Sequence, residues 1–274
     1  KQKWRVVIDY RKLNNVTIGD AYPIPNIADI LDQLGHSKYF TTLDLASGFH
    51  QIPMKSEDSD KTAFSTPFGH YQFKRMPFGL KNAPATFQRL MNTVLTGLQG
   101  IKCFVYLDDI VIFANSIQDH SNNLKDIFRR LERHNLKLQA DKCEFMRHEV
   151  AYLGHVISKD GVKPDPSKID CISSYPKPKN TRDIKSFLGL VGYYRKFIPN
   201  FSKYSQKLTA LLKKDSIFNW TEEQDFSFYI LKNALTKEPI LQYPDFTLPF
   251  NLTTDASNIA IGAILSQGPS SKDL

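Results

Sequence analysis

Cysteine is scarce in this sequence: 274 residues carry three, at Cys103, Cys143 and Cys171. They lie far apart, their number is odd, and no Cys or His stands at zinc-ligand spacing, which argues against a disulfide framework and a zinc module. Reduced, mostly buried thiols in an intracellular compartment are expected. Long apolar runs are missing too. None approaches the length of a membrane-spanning helix, and none has the make-up of a secretory leader's core. There is no internal repeat and no low-complexity tract. Acids are outnumbered, 28 Asp and Glu against 36 Lys and Arg, for a net charge of +8.

What is present is an ordinary globular composition, 41% hydrophobic, long enough for a substantial core and two or more subdomains. The positive charge is concentrated. From Lys163 to Lys214 there are twelve Lys and Arg against three Asp, so the rest of the chain is close to neutral. Solvated helix faces account for some of this, but one-sided charge fits a polyanionic partner. Aromatics are interleaved with it (Tyr175, Phe187, Tyr193, Tyr194, Phe197, Phe201, Tyr204), a mixture suited to a nucleic-acid backbone, although several of these rings must also be core.

Along the chain, residues 4–10 have a short strand pattern. Asn26 is placed to cap a helix carrying Ile27, Ile30, Leu31 and Leu34. Pro67-Phe68-Gly69 reads as a turn between strands. Pro84 suits the first turn of a helix that buries Phe87, Leu90, Met91, Val94 and Leu95. Residues 117–134 are amphipathic, with Leu124, Ile127, Phe128 and Leu131 on one face. Residues 152–157 read as one strand turning at Lys159-Asp160-Gly161. Prolines at 164, 166, 176 and 178 then mark a boundary near 160. Helices are expected at about 167–175, 181–197, 203–213 and 222–236, and two strands in the tail.

The most informative segment is Tyr106-Leu107-Asp108-Asp109. It separates two β-branched, aromatic runs, Cys103-Phe104-Val105 and Ile110-Val111-Ile112-Phe113, which read as paired strands. Asp is favoured in tight turns anyway, so the pair serves equally as ordinary turn residues. A third carboxylate strengthens the other reading. Asp44 ends the strand-like run Tyr39-Phe40-Thr41-Thr42-Leu43, and acids gathered at strand tips suit hard divalent cations that bridge substrate phosphates.

The motifs stand in a fixed order: Trp4-Arg5; then Leu43-Asp44-Leu45-Ala46-Ser47-Gly48-Phe49-His50-Gln51-Ile52; then residues 76–88, Met-Pro-Phe-Gly-Leu-Lys-Asn-Ala-Pro-Ala-Thr-Phe-Gln; then Tyr106-Leu107-Asp108-Asp109; then Leu153-Gly154-His155. In this order and spacing the chain resembles, over nearly its whole length, the reverse transcriptases of gypsy-class long-terminal-repeat retrotransposons, relatives of the retroviral enzymes. The resemblance implies an α+β right-hand polymerase. Fingers would take residues 1–38 and 53–75, the palm with its antiparallel sheet 39–52 and 76–160, and a basic helical thumb 161–214. A tether and the start of a ribonuclease H-like domain would take 215–274.

The resemblance also implies chemistry. A primer 3′-hydroxyl would attack the α-phosphate of a deoxynucleoside triphosphate on an RNA or DNA template, with two Mg²⁺ ions, or Mn²⁺ as substitute. Asp44 and Asp108 would bridge the metals, Asp109 would complete the primer-side site, and Leu45 would lend a backbone carbonyl. Arg5 would bind the triphosphate, or else pair with an acid such as Asp9. Ser47 and Gly48 would offer backbone donors to phosphates. Phe49 would exclude a 2′-hydroxyl, its alternative being an ordinary core ring. Phe78 stands where retroviral enzymes have Gln, so packing against the nucleotide replaces a side-chain hydrogen bond, and Gly79 allows close approach. Tyr106, Leu107, Gln88, Leu153, Gly154 and His155 would serve primer and template, the last three as the primer grip. Asp255 matches the first metal-binding acid of ribonuclease H. No further acid of that set is visible, so ribonuclease H activity is not expected of this stretch.

The expected partners are RNA template, DNA primer-template, RNA-DNA hybrid and the other parts of a Pol polyprotein: protease, ribonuclease H and integrase. The expected setting is cytoplasmic, within virus-like particles, with access to the nucleus. The competing reading is a catalytically impaired nucleic-acid-binding remnant. An RNA-templated RNA polymerase would share the palm, but Phe49 argues against it.

Overall fold

The computed structural model describes residues 7–35, 37–213, 218–236, 241, 243–256 and 261–267. Trp4 and Arg5 lie outside them. Residues 7–10, expected to continue a strand, are irregular and lead into helix α1 (Arg11–Val16). Asn26 caps α2 (Ile27–Gln33) as its side chain accepts from the Ala28 amide, and Ile30 and Leu31 are buried. Then come β1 (Tyr39–Asp44), α3 (Ser56–Ser59), the hairpin β2 (Phe64–Thr66) and β3 (Gly69–Tyr71), and α4 (Ala83–Val94) with Pro84 in its first turn. β4 (Cys103–Tyr106) and β5 (Asp109–Ala114) form the next hairpin, followed by α5 (Ile117–Arg133). On α5 the buried line is His120, Asn123, Ile127 and Leu131. Phe128, expected on that face, is exposed and meets Phe145 edge-on instead.

β6 (Glu144–Arg147) completes a four-stranded antiparallel sheet in the order β4-β5-β1-β6. Its β4–β5 part is buried on both faces, which those two strands announce by being apolar at nearly every position, while β6 is exposed throughout. Cys103, Val105, Ile110 and Ile112 point into a core shared with Phe87 and Met91 of α4 and Ile127 of α5. Phe40, Phe104 and Val111 point into a second core, shared with α2 and the later helices.

The strand expected over 152–157 is two strands. β7 (Glu149–Tyr152) and β8 (His155–Ser158) turn at Leu153-Gly154, where both φ angles are positive, 47° and 70°. β9 (Gly161–Pro164) joins them in a separate sheet, so β8 and β9 on either side of residue 160 are hydrogen-bonded neighbours. The basic region is helical as expected: α6 (Pro166–Ser173), α7 (Thr181–Tyr193) and α8 (Phe201–Thr209), followed by α9 (Glu222–Ala234). Ile184, Phe187, Val191 and Leu208 are fully buried there. Beyond α9, Leu241 exchanges two 2.9 Å backbone hydrogen bonds with Val162 of β9. The tail forms the hairpin β10 (Asn251–Ala256) and β11 (Ile261–Ser266). Cys103 is buried and Cys143 partly so, but Cys171 on α6 is exposed, contrary to expectation.

Candidate active site

The acids converge through strand pairing. In the β1–β5 register Asp44 lies directly opposite Asp109, and in β4–β5 Asp109 lies opposite Tyr106. Asp109 is therefore a strand residue, and only Leu107 and Asp108 form the corner. Leu107 has a φ of 55° at the first corner position, where a type II′ hairpin turn takes glycine. Like charges directly opposite one another on a sheet repel. The consequence is visible at Asp109: loss of water from around its carboxyl, then the negative charges of Asp108 and Asp44, push it up to about 6, with Lys142 pulling the other way. By accessible surface the residue as a whole is nonetheless exposed.

Lys142 was not anticipated. Its ammonium lies 3.2 Å and 3.4 Å from the two carboxylate oxygens of Asp44. A short 3₁₀ turn, Ala140–Lys142, carries it, docked on the end of β1 by Gln139 N donating to Asp44 O at 2.9 Å. The Leu45–Leu138 bridge beside it is bonded through Ala46 N and Gln139 N, so Leu45 spends no carbonyl on it. A cavity of about 130 Å³ opens here, lined by Asp44, Asp109, Lys142, Tyr152 and Leu153 among others.

Around the acids, Ser47 adopts a left-handed conformation (φ 51°) and turns the chain into a 3₁₀ segment, Gly48–Gln51. A Cβ on Gly48 would sit 2.8 Å from the Phe87 ring and 3.3 Å from the Asp108 Cβ, so only glycine lets β1's tip approach the acid corner. Phe49 is half-buried, edge-on to both Phe78 and Phe87 with ring centres 5.2 Å apart in each case. The two residues expected to face the nucleotide, Phe49 and Phe78, are thus neighbours. Gly79 (φ 90°) is exposed, and Asn14 of α1 clamps its loop, donating to Gly79 O and accepting from Lys81 N, both at 2.8 Å.

The Leu153-Gly154 corner lies on the far side of the small cavity. The Tyr193 hydroxyl donates to Leu153 O and the Tyr194 hydroxyl to Gly154 O, each at 2.8 Å. His155, expected to face primer, is 2% exposed. It packs on Tyr193, Tyr194 and Phe197, and its Nδ1 donates to Leu153 O at 2.8 Å. Burial holds it neutral, down to about 4. Its backbone belongs to the grip and its ring to the core. Gln88, also expected at the primer-template, is fully buried behind the acid corner. Tyr106 is half-buried, lining an open groove with Tyr193, Arg195 and Lys196. Asp255 is exposed on β10, opposite Gly262. Asn14, Lys142, Tyr193 and Tyr194 reach the site from up to ~100 residues away in sequence, and a local pattern has no signal for such contacts.

Among the described residues, no three acidic, histidine or cysteine side chains enclose an ion by themselves. An open carboxylate set fits Mg²⁺, which keeps waters and shares its coordination with substrate phosphates. The repulsion at Asp109, which Lys142 relieves only in part, is the other mark of a place for positive charge.

The reverse transcriptase (RNA-dependent DNA polymerase) family matches residues 1–157, and an RNase H-like domain found in reverse transcriptase matches residues 220–273, taking in α9 and the tail hairpin. The chain is 55% identical over 267 residues to the retrovirus-related Pol polyprotein from transposon 297 of Drosophila melanogaster, covering 97% of this chain and 25% of that protein. It is 45% identical over 275 residues to the corresponding polyprotein from transposon gypsy of the same organism, covering 96% and 27%. The chain thus spans about a quarter of these relatives. In structure it is similar to the foamy viral protease-reverse transcriptase in complex with RNA/DNA hybrid, with a TM-score of 0.82, 26% identity and coverage of 97% and 38%. The likeness extends over nearly the whole chain, and the chain belongs to the reverse transcriptase family, on the branch of the gypsy-class retrotransposons.

Proposed function

We propose that this chain extends a primer with deoxynucleotides on an RNA or DNA template, as the polymerase part of a retrotransposon Pol protein. One observation carries the reading: strand register sets Asp44 opposite Asp109, with Asp108 at the adjoining corner, beside a turn that two tyrosines hold. Asp44, Asp108 and Asp109, with the Leu45 carbonyl, would hold two divalent cations, Mg²⁺ or Mn²⁺, which supply the charge that ionises the primer hydroxyl and neutralises the leaving pyrophosphate.

The protein's own groups do the rest. The Asp109 carboxyl must be ionised to act, so acid below about pH 6 works against it. Lys142 keeps Asp44 paired until a stronger cation competes for the same oxygens. Phe49, braced by Phe87, presents a rigid ring to the sugar side and leaves no room for a 2′-hydroxyl, while Phe78 packs beside it. Arg5, Ser47, Gly48 and Gly79 bind the triphosphate. Tyr106, Leu107 and the Leu153-Gly154 corner hold the primer end. The basic helices follow the hybrid's phosphates. Protease, ribonuclease H and integrase parts would accompany the chain in its polyprotein, in cytoplasmic virus-like particles with access to the nucleus.

Primer extension on an RNA template with Mg²⁺ tests this. Extension is expected with deoxynucleotides and lost in Asp109→Asn. A protein that binds hybrid but never extends it would instead be a nucleic-acid-binding remnant. Phe49→Ala is expected to admit ribonucleotides, and unchanged selectivity would remove the ring from the sugar site.

A further inference from the structure

The acid corner is held from behind by one buried side chain. Gln88 lies on α4, fully buried, and its Oε1 accepts the Leu107 amide at 2.8 Å. A backbone N–H can only donate, so this contact fixes which end of the Gln88 amide faces the corner. The Nε2 end is left to donate to Asn92 Oδ1 at 2.9 Å and, more weakly, to Val105 O at 3.3 Å. Asn92 is oriented in turn. Its Oδ1 also accepts from Gln99 Nε2 at 3.0 Å, and its Nδ2 donates to the Tyr22 hydroxyl at 2.7 Å. The Arg89 guanidinium lies 4.6 Å above the Tyr22 ring and pairs with Asp20 at 2.6 Å. An unbroken polar chain therefore runs from the extended segment before α2, through α4, to the residue preceding Asp108.

What it holds is a costly conformation. Leu107 has a φ of 55°, a region that L-residues with a side chain enter at a cost of about 1–2 kcal/mol. Such a residue persists where its surroundings over-determine it. Gln88 accepts the backbone N–H of that residue, and Asp108 is the next one.

We propose that Gln88 is a positioning residue for the metal-binding corner: with Asn92 and Tyr22 behind it, it locks Leu107 in the left-handed region and so aims the Asp108 carboxylate. The proposal rests on the reading of Asp108 as a metal ligand. It also explains why Gln88 resists interpretation as a template contact, since no part of it reaches the surface.

The test is Mn²⁺ binding to the protein without nucleotide or nucleic acid, followed by loss of the free-ion electron paramagnetic resonance signal, with thermal unfolding measured in parallel. Gln88→Met keeps the length and loses both hydrogen-bonding ends. It is expected to weaken Mn²⁺ binding by about tenfold, the size typical of lost outer support around a metal ligand. Asn92→Ala, which frees Gln88 to turn, is expected to weaken it in the same direction but by less than Gln88→Met, since Gln88 keeps its acceptor for Leu107. Leu107→Gly supplies a residue at home at positive φ, and in the Gln88→Met background it should recover most of the lost affinity. A merely structural role would lower the unfolding temperature without this recovery. Unchanged affinity in Gln88→Met, or no recovery in the double variant, overturns the proposal. If Gln88→Met does not fold, unchanged affinity in Asn92→Ala overturns it. Asp108→Asn separates the two readings: if it leaves Mn²⁺ binding intact, the metal assignment itself has failed.

Discussion

Two hairpin corners flank the small cavity, and both place a leucine in the left-handed region, Leu107 at 55° and Leu153 at 47°. They are held in opposite ways. At Leu107-Asp108 the support comes from inside, where a buried amide accepts a backbone N–H. At Leu153-Gly154 it comes from later in the chain, where the Tyr193 and Tyr194 hydroxyls at the end of α7 and the Asp165 amide donate to backbone carbonyls. The acid corner is thus tied to α4, the helix packed on its own sheet. The other corner is tied to the end of α7, so any motion of α7 is felt there. The difference separates a place for chemistry from a place for alignment.

The comparison breaks most sharply at Asp108. Asp108→Asn is expected to lower the extension rate by roughly a thousandfold, several kcal/mol of transition-state charge stabilisation, with hybrid binding little changed. Single-turnover extension beside a binding titration measures both, and equal losses in the two would erase the distinction between corners.

Next comes acid. His155 is buried and held down to about 4, against an ordinary value of 6.5. The unfolded chain therefore binds a proton between pH 6.5 and 4 that the folded one refuses, so stability is full above 6.5 and falls as pH drops through that window. Its ceiling is about 3 kcal/mol. Denaturant unfolding of wild type and His155→Gln across this range checks it, since the variant should lack this part of the slope.

Gly154→Ala has the smallest effect. Its φ is 70°, and the new Cβ would meet the Tyr194 hydroxyl at 3.1 Å. A loss of about 1–2 kcal/mol is expected, seen as a lower denaturant midpoint, with primer-end affinity reduced more than the rate of chemistry. An unchanged midpoint would mean that the tyrosine clamp yields freely.

Much of this was legible because it is local. Asn26 before an apolar repeat, Pro84 in a first turn and Asp44 at the end of a β-branched run each declare their own element. The residues that escaped act at a distance. Gln88 looks like any polar position on an amphipathic helix until β4 and β5 close over it. Lys142 belongs to Asp44 only because a 3₁₀ turn folds back along β1. The Leu153-Gly154 corner lacks the Asn-Gly or Asp-Gly signature of such turns, so two strands read as one. Phe128 kept the helical period but fell at the edge of the buried face, beside Ile127 and Leu131, which are buried.

The Val162–Leu241 pairing bears on handling the protein. β9 is the outer strand of its sheet, and the later segment caps the middle of that strand through two reciprocal hydrogen bonds. A version shortened just after α9 would uncover those backbone groups. A bare strand margin is a template for joining other chains. Loss of the segment would therefore register first as self-association, in a protein whose polymerase residues are all still in place.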